Sequence, residues 1–217
     1  MRRENQDVKM HIALLGDSIF DNSAYVPDEP SVIDQLRSIL EKGQTATLLA
    51  IDGSTTAEVL EQLKSIPKDA THIIVSSGGN DALQASLTLQ VGGTAKEFLE
   101  ELVTAQDRFR QHYGRLLGEC KKIGKPTVVC TIYDCIPSLE SWKKTALSIF
   151  NDVIIREATT LGFPVIDLRT ICYDESDYSS VSRIEPSSRG GMKIAKKIAA
   201  IVQTFDFKLP RNIQIFP

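Results

Sequence analysis

Five short runs rich in valine, isoleucine and leucine recur along this chain, at residues 10–15, 46–51, 72–76, 127–132 and 165–168. None alternates cleanly between apolar and polar residues. A strand wetted on one side would alternate, so these runs predict strands buried on both faces. Stretches of helical periodicity separate them. Residues 31–40 carry Val32, Ile33, Leu36, Ile39 and Leu40, and residues 56–66 carry Val59, Leu60 and Leu63 behind a Ser54 or Thr55 cap. The longest stretch, 94–123, repeats Phe98, Leu102, Phe109, Tyr113, Leu116 and Leu117 and stops at Gly124, with Pro126 just beyond. Two more cover 142–161 and about 188–205, the latter with Ile194, Ile198 and Ile201 on one side. Strand–helix alternation repeated in this way predicts a parallel sheet with helices on both faces, because a parallel crossover needs a helix-length connection.

No repeat, low-complexity tract or interdomain linker interrupts that pattern, so a single domain over residues 1–217 is expected. Residues 85–93 read as a loop inserted after Asn80-Asp81. The tail from about 205, with Ile213, Ile215 and Phe216, reads as a segment docked on the body or on a partner.

Composition narrows the function classes. A net charge of -3 gives no general attraction to nucleic acid or anionic membrane. No apolar run approaches the roughly 20 residues of a membrane span. The charged N-terminal stretch MRRENQDVKM lacks the apolar region of a secretory signal. The four cysteines, Cys120, Cys130, Cys135 and Cys172, form no CxxC pair, so reduced, mostly buried thiols and a cytoplasmic location are expected. Three histidines without paired Cys/His spacing argue against a zinc site.

In parallel sheets ligands bind beyond the carboxyl ends of the strands, where the strand order reverses. The residues at those ends are Gly16-Asp17-Ser18, Asp52-Gly53-Ser54, Ser77-Gly78-Gly79-Asn80-Asp81, Tyr133-Asp134-Cys135 and Asp167. If the first strand is central and flanked by the second and third, a strand spacing of about 4.8 Å puts Ser18, Gly53 and Asn80 within roughly 10 Å of one another.

Such a trio suits acyl transfer, which needs a nucleophile, a proton acceptor and donors aimed at the developing oxyanion. Ser18 supplies a hydroxyl and a backbone N–H, Gly53 lets the backbone approach a ligand, and Asn80 supplies an amide donor. Each piece also has a plainer reading: a turn with a helix cap, turn chemistry, and a loop asparagine bonded to its own backbone. Their occurrence after three successive strands favours the joint reading.

Gly16-Asp17-Ser18-Ile19, then Gly53, then Gly78-Gly79-Asn80-Asp81 resemble the sequence blocks of the SGNH hydrolases, also called GDSL esterases and lipases. The first block alone is a weak signal; followed at this distance by GxND it is a strong one, and the block order covers nearly the whole chain. The resemblance implies a flavodoxin-like three-layer α/β/α sandwich with five parallel strands in the order 2-1-3-4-5. It implies Ser18 as nucleophile and an oxyanion hole from the Ser18 N–H, the Gly53 N–H and the Asn80 side chain. It also implies hydrolysis of a small-molecule ester, thioester or acetylated sugar without a metal or other cofactor.

The last block departs from the family. Where the family has Asp-x-x-His, commonly followed by Pro, this chain has Ser182-Arg183-Ile184-Glu185-Pro186, and no histidine occurs after His112. His11 and His72 fall at the starts of strands, away from Ser18, and His112 falls within the long helix. An ordinary glutamate, with a pKa near 4.3, is a weaker base than histidine, although burial raises that value by up to several units. Glu185 therefore stands as a candidate base, with Asp174, Glu175 and Asp177 as other carboxylates of the same region. Its plainer reading is a surface carboxylate or a cap on the last helix. Two functions follow: a serine esterase using Ser18 and Glu185, or a catalytically impaired relative that binds an acyl, carboxylate or sugar ligand. A flavodoxin-like nucleotide or signalling domain fits less well, since neither GxGxxG nor GxxxxGK[ST] occurs.

Overall fold

The computed structural model describes residues 10–88, 93–208 and 215–216. Its strands, in chain order, are β1 (His11–Gly16), β2 (Thr45–Leu48), β3 (His72–Ser76), β4 (Thr127–Cys130), β5 (Val165–Ile166) and β6 (Ile215–Phe216). Its α-helices are α1 (Val32–Ile39), α2 (Thr56–Gln62), α3 (Gly79–Thr88), α4 (Ala95–Ile123), α5 (Ser141–Leu161) and α6 (Ser188–Thr204).

All described strand pairs are parallel, and the order is β2-β1-β3-β4-β5-β6. The five expected strands thus lie in the expected order. The addition is β6, which pairs Val165 with Ile215 and Ile166 with Phe216. This part of the tail covers the free edge of β5.

Side-chain alternation divides the core between the two faces of the sheet. Ile12, Leu14, Ile74 and Val128 pack with Val32 and Leu36 of α1 and Ile194 and Ile198 of α6. Ala13, Leu15, Val75 and Val129 pack with Val59 of α2, Phe109 and Leu116 of α4 and Ile154 of α5. Both sets are buried, which is why the strands read as continuous apolar runs.

The helix ends follow local chemistry. Ser31 accepts a bond from the Asp34 N–H to cap α1, and capping boxes at Thr55/Glu58 and Thr94/Glu97 start α2 and α4. Gly124 and Gly162, both left-handed, end α4 and α5. One expectation is corrected. The sequence from Ala85 continues α3 as far as Thr88 rather than forming a loop, and residues 89–92 lie outside the described residues. Alanine and leucine between Asp81 and Thr88 favour the helix over the loop that the polar Gly-Gly-Asn-Asp start suggests.

Candidate active site

The site grows from the carboxyl end of β1. Gly16 lies against Ser76 of β3, and a Cβ added there would sit 2.0 Å from the Ser76 carbonyl oxygen, so no larger residue fits. The Gln62 side chain of α2 grips the same residue. Its Oε1 accepts from the Gly16 N–H and its Nε2 donates to the Gly16 carbonyl, each at 2.8 Å. The chain then turns: the Asp17 carbonyl accepts from the N–H groups of Phe20 and Asp21, and Asp17 Oδ1 accepts from the Ile19 N–H at 3.1 Å. Ser18 is left at the tip of this turn, 7% exposed. Its backbone N–H donates to no protein acceptor among the described residues.

Beyond β2, Ile51, Asp52, Gly53 and Ser54 form a turn closed by the Ser54 N–H and the Ile51 carbonyl at 3.1 Å. Gly53 has φ +80, the backbone a type II turn asks of its third residue. The Gly53 N–H likewise has no protein acceptor among the described residues.

Asn80 and Asp81, in the first turn of α3, clasp the next part of that loop. Asn80 Nδ2 donates to the Ser54 carbonyl at 3.0 Å, and Asp81 Oδ2 accepts from the Thr56 N–H and hydroxyl, each at 2.9 Å. Asn80 therefore bonds the loop that contains Gly53 rather than its own backbone, and one amide hydrogen remains for a ligand.

Glu185 sits in the loop before α6, and this loop is tied down from several sides. The Glu185 N–H donates to Ser182 at 3.0 Å and its carbonyl accepts from the Ser179 N–H at 2.8 Å. Tyr133, after β4, donates its hydroxyl to the Ile184 carbonyl at 2.6 Å, and Asn22 Nδ2 donates to the Pro186 carbonyl at 3.1 Å. Glu185 is 5% exposed, so it is not a surface carboxylate, and the cap on α6 is Ser187.

The Glu185 carboxyl faces the Ser18 hydroxyl. Burial pushes its pKa up to about 7, opposed by the Ser18 hydroxyl and helped by the negative charge of Asp52. Glu185 Oε2 is buried and has no hydrogen-bond partner among the described residues. A second buried carboxyl, Asp17, is also raised to about 7, first by burial and further by the nearby charges of Glu185 and Asp81.

Ser18, Asn80 and Glu185 line one cavity of about 140 Å³, together with Asp17 and Tyr133. Gly53 is not part of that lining and joins the group only through the Asn80–Ser54 bond. The other candidates fall elsewhere. His11 bonds Asp69 and Thr47, and His72 bonds Thr71. His112 lines a separate groove with Asp81 and Thr55. Asp174 and Asp177 pair with Arg189 and Lys193, Glu175 pairs with Arg183, and Asp167 pairs with Arg169. Asp134 pairs with Lys144. All four cysteines are free thiols. Among the described residues no group of three or more His, Cys, Asp and Glu side chains could hold a metal ion, and no helix is long and apolar enough to cross a membrane.

Three residues of this arrangement escaped the sequence reading: Asp17 as a second raised carboxyl, and Asn22 and Tyr133 as anchors of the Glu185 loop. Asp17 was visible inside the first block as an acid next to the hydroxyl. Tyr133 was visible at the end of the fourth strand, but the bonds by which it and Asn22 reach carbonyls far along the chain carry no local signal.

Comparison with known proteins agrees with the fold. A lipase from a goat rumen metagenome superposes with a TM-score of 0.70 at 22% identity, covering 88% of this chain and 96% of its own. An extracellular lipase from Streptomyces rimosus gives 0.64 at 17%, covering 91% and 100%. An acetyl xylan esterase gives 0.66 at 19%, covering 89% and 100%. At these identities the likeness is one of fold. No curated protein matches the sequence significantly. The family model of the GDSL-like lipases and acylhydrolases matches residues 14–190, from β1 to the first turn of α6, and the chain belongs to that family.

Proposed function

We propose that this chain is a serine ester hydrolase in which Glu185 does the work of the missing histidine. Membership of a lipase and acylhydrolase family supports ester hydrolysis in general. The observation that carries the finer reading is the buried Glu185 carboxyl, raised to about 7, set against the Ser18 hydroxyl at a cavity wall. A carboxylate with that pKa is half ionised at neutral pH, where a proton acceptor works best.

In this reading Glu185 takes the Ser18 proton as Oγ attacks the ester carbonyl. The new oxyanion accepts bonds from the Ser18 N–H, the Gly53 N–H and the Asn80 amide, the two backbone donors having no acceptor among the described residues. Collapse breaks the bond to the alcohol, which leaves with the proton from Glu185, and the acyl group stays on Ser18. Water then attacks the acyl-enzyme, giving its proton to Glu185. Cleavage releases the acid and returns that proton to Ser18 Oγ.

Hydrolysis of p-nitrophenyl butyrate tests the reading. The wild-type protein turns it over, and Ser18→Ala abolishes the turnover. A protein that binds but does not cleave would show no turnover with either chain while ligands still raise its Tm.

A further inference from the structure

Resting on the hydrolase reading of Ser18, we infer that the cavity beside it receives the acyl part of the ester, and that this part is a hydrocarbon chain of about six to eight carbons rather than an acetyl group. Away from Ser18 and Glu185 the cavity runs between α3, α4 and α5. Leu102 and Phe150 form buried walls at 5% and 3% exposure, with Ala146 and Leu147 beside them. Leu83 and Trp142 line it while remaining 43% and 37% exposed, so they mark its mouth. Phe98 braces the Trp142 ring edge-on at 6.0 Å.

Three of the polar side chains on these walls are already engaged. Ser77 bonds Thr56 at 2.8 Å, Ser86 bonds the Leu83 carbonyl at 2.7 Å, and Lys143 pairs with Glu140 at 2.7 Å. A sugar ring would find few hydrogen-bonding partners there, whereas an alkyl chain needs none. The volume of about 140 Å³ is close to the apolar cavity of about 150 Å³ known to admit benzene, a six-carbon ligand. An acetyl group would leave most of it empty.

The chemistry assigns the acyl side to this apolar, partly open space. The alcohol must depart after the first step, while the acyl group stays bonded to Ser18 until water arrives. The sheltered pocket therefore suits the part that stays. The exposed Ile51–Gly53 turn, on the other side of the Asn80–Ser54 bond, suits the part that leaves.

The test is a chain-length series of p-nitrophenyl esters from acetate to dodecanoate, run beside Tm shifts of Ser18→Ala with the matching primary amides. Expected is a rise in kcat/KM of roughly fourfold per added methylene up to six to eight carbons, then a plateau or fall. Ala146→Phe, which fills the pocket, should lower the octanoate-to-acetate ratio at least tenfold. Lengthening the alcohol of an acetate ester should change kcat/KM far less. The amides should raise the Tm of Ser18→Ala increasingly with chain length. If that rise appears but the wild-type chain cleaves no ester, the pocket assignment holds and the hydrolase reading fails. If esters are cleaved with acetate best, and Ala146→Phe leaves the ratio where it was, the pocket assignment is overturned and the hydrolase reading stands.

Discussion

The buried Glu185 carboxyl faces the Ser18 hydroxyl, although 167 positions separate the two in sequence. A carboxylate in the open would be ionised at any physiological pH and too weak to take a serine proton. Buried beside Asp17 and Asp52, it holds its own proton to near neutrality.

The pH dependence of activity follows from that. Only ionised Glu185 can accept the Ser18 proton, and its pKa is raised to about 7, so kcat/KM should fall as pH drops through about 7. Asp17 is raised to a similar value and is coupled to Glu185, so the acid limb belongs to the pair. Asp17→Asn removes one of the two charges and should move the midpoint to lower pH. A midpoint near 4.5 in the wild-type chain would contradict the assignment.

Stability should move with pH in the opposite sense. The folded chain binds the Glu185 proton more tightly than the unfolded chain does, with a pKa of about 7 against 4.5. The stabilisation is therefore complete below the unfolded value and is lost as pH rises through about 7. Glu185→Gln carries no such loss. Its advantage over the wild-type chain should be small at pH 4 and grow to on the order of 2 kcal/mol by pH 8, or roughly 4–8 °C in Tm. Calorimetry at the two pH values measures it.

Asn80→Ala should lower kcat by about two to three orders of magnitude, the usual effect of losing one oxyanion donor. The bond from Asn80 to the Ser54 carbonyl at 3.0 Å disappears as well, which frees the Gly53 turn. A modest fall in Tm should accompany the kinetic loss. Unchanged kcat would remove Asn80 from the chemistry.

Tyr133 is a positioning residue, since its hydroxyl reaches the Ile184 carbonyl at 2.6 Å rather than the reacting atoms. Tyr133→Phe leaves that carbonyl unpaired and should cost about 1–2 kcal/mol of stability. A purely structural role would stop there. Because the bond holds the Glu185 loop, kcat should also drop about tenfold at constant KM, and the midpoint of the acid limb should shift. Steady-state kinetics across pH 5–9 would detect both changes.

The sheet was readable because burial on both faces leaves short apolar runs rich in β-branched residues, alternating with longer stretches of helical periodicity. The helices were readable because Gly124 and Gly162 end α4 and α5, and because Ser31, Thr55 and Thr94 start theirs. The α3 helix was misread because its opening, Gly-Gly-Asn-Asp, has loop composition. Its side chains are used in clasping Thr56 and Ser54, a tertiary contact invisible in the local sequence. β6 adds two residues at an edge, too few for any periodicity. Ser18 and Asn80 stand out in the sequence because they lie within recognisable blocks, and Glu185 because it occupies the histidine position of the atypical last block; the structure lines one cavity with all three. Gly53 was named with them and stands one bond away. Tyr133 stands out at the carboxyl end of the fourth strand, but its anchoring bond and that of Asn22 do not, because each donates to a backbone carbonyl more than fifty positions along the chain.

Activation of the Ser18 hydroxyl by Glu185 is measured most directly by the rate at which a fluorophosphonate labels Ser18 across pH 5–9, in the wild-type chain and in Glu185→Gln. Labelling confined to Ser18, half-maximal near pH 7 and at least about a hundredfold slower in Glu185→Gln, is the expected result. Labelling of the Gln variant at the wild-type rate over the whole range would show that Glu185 is not the base.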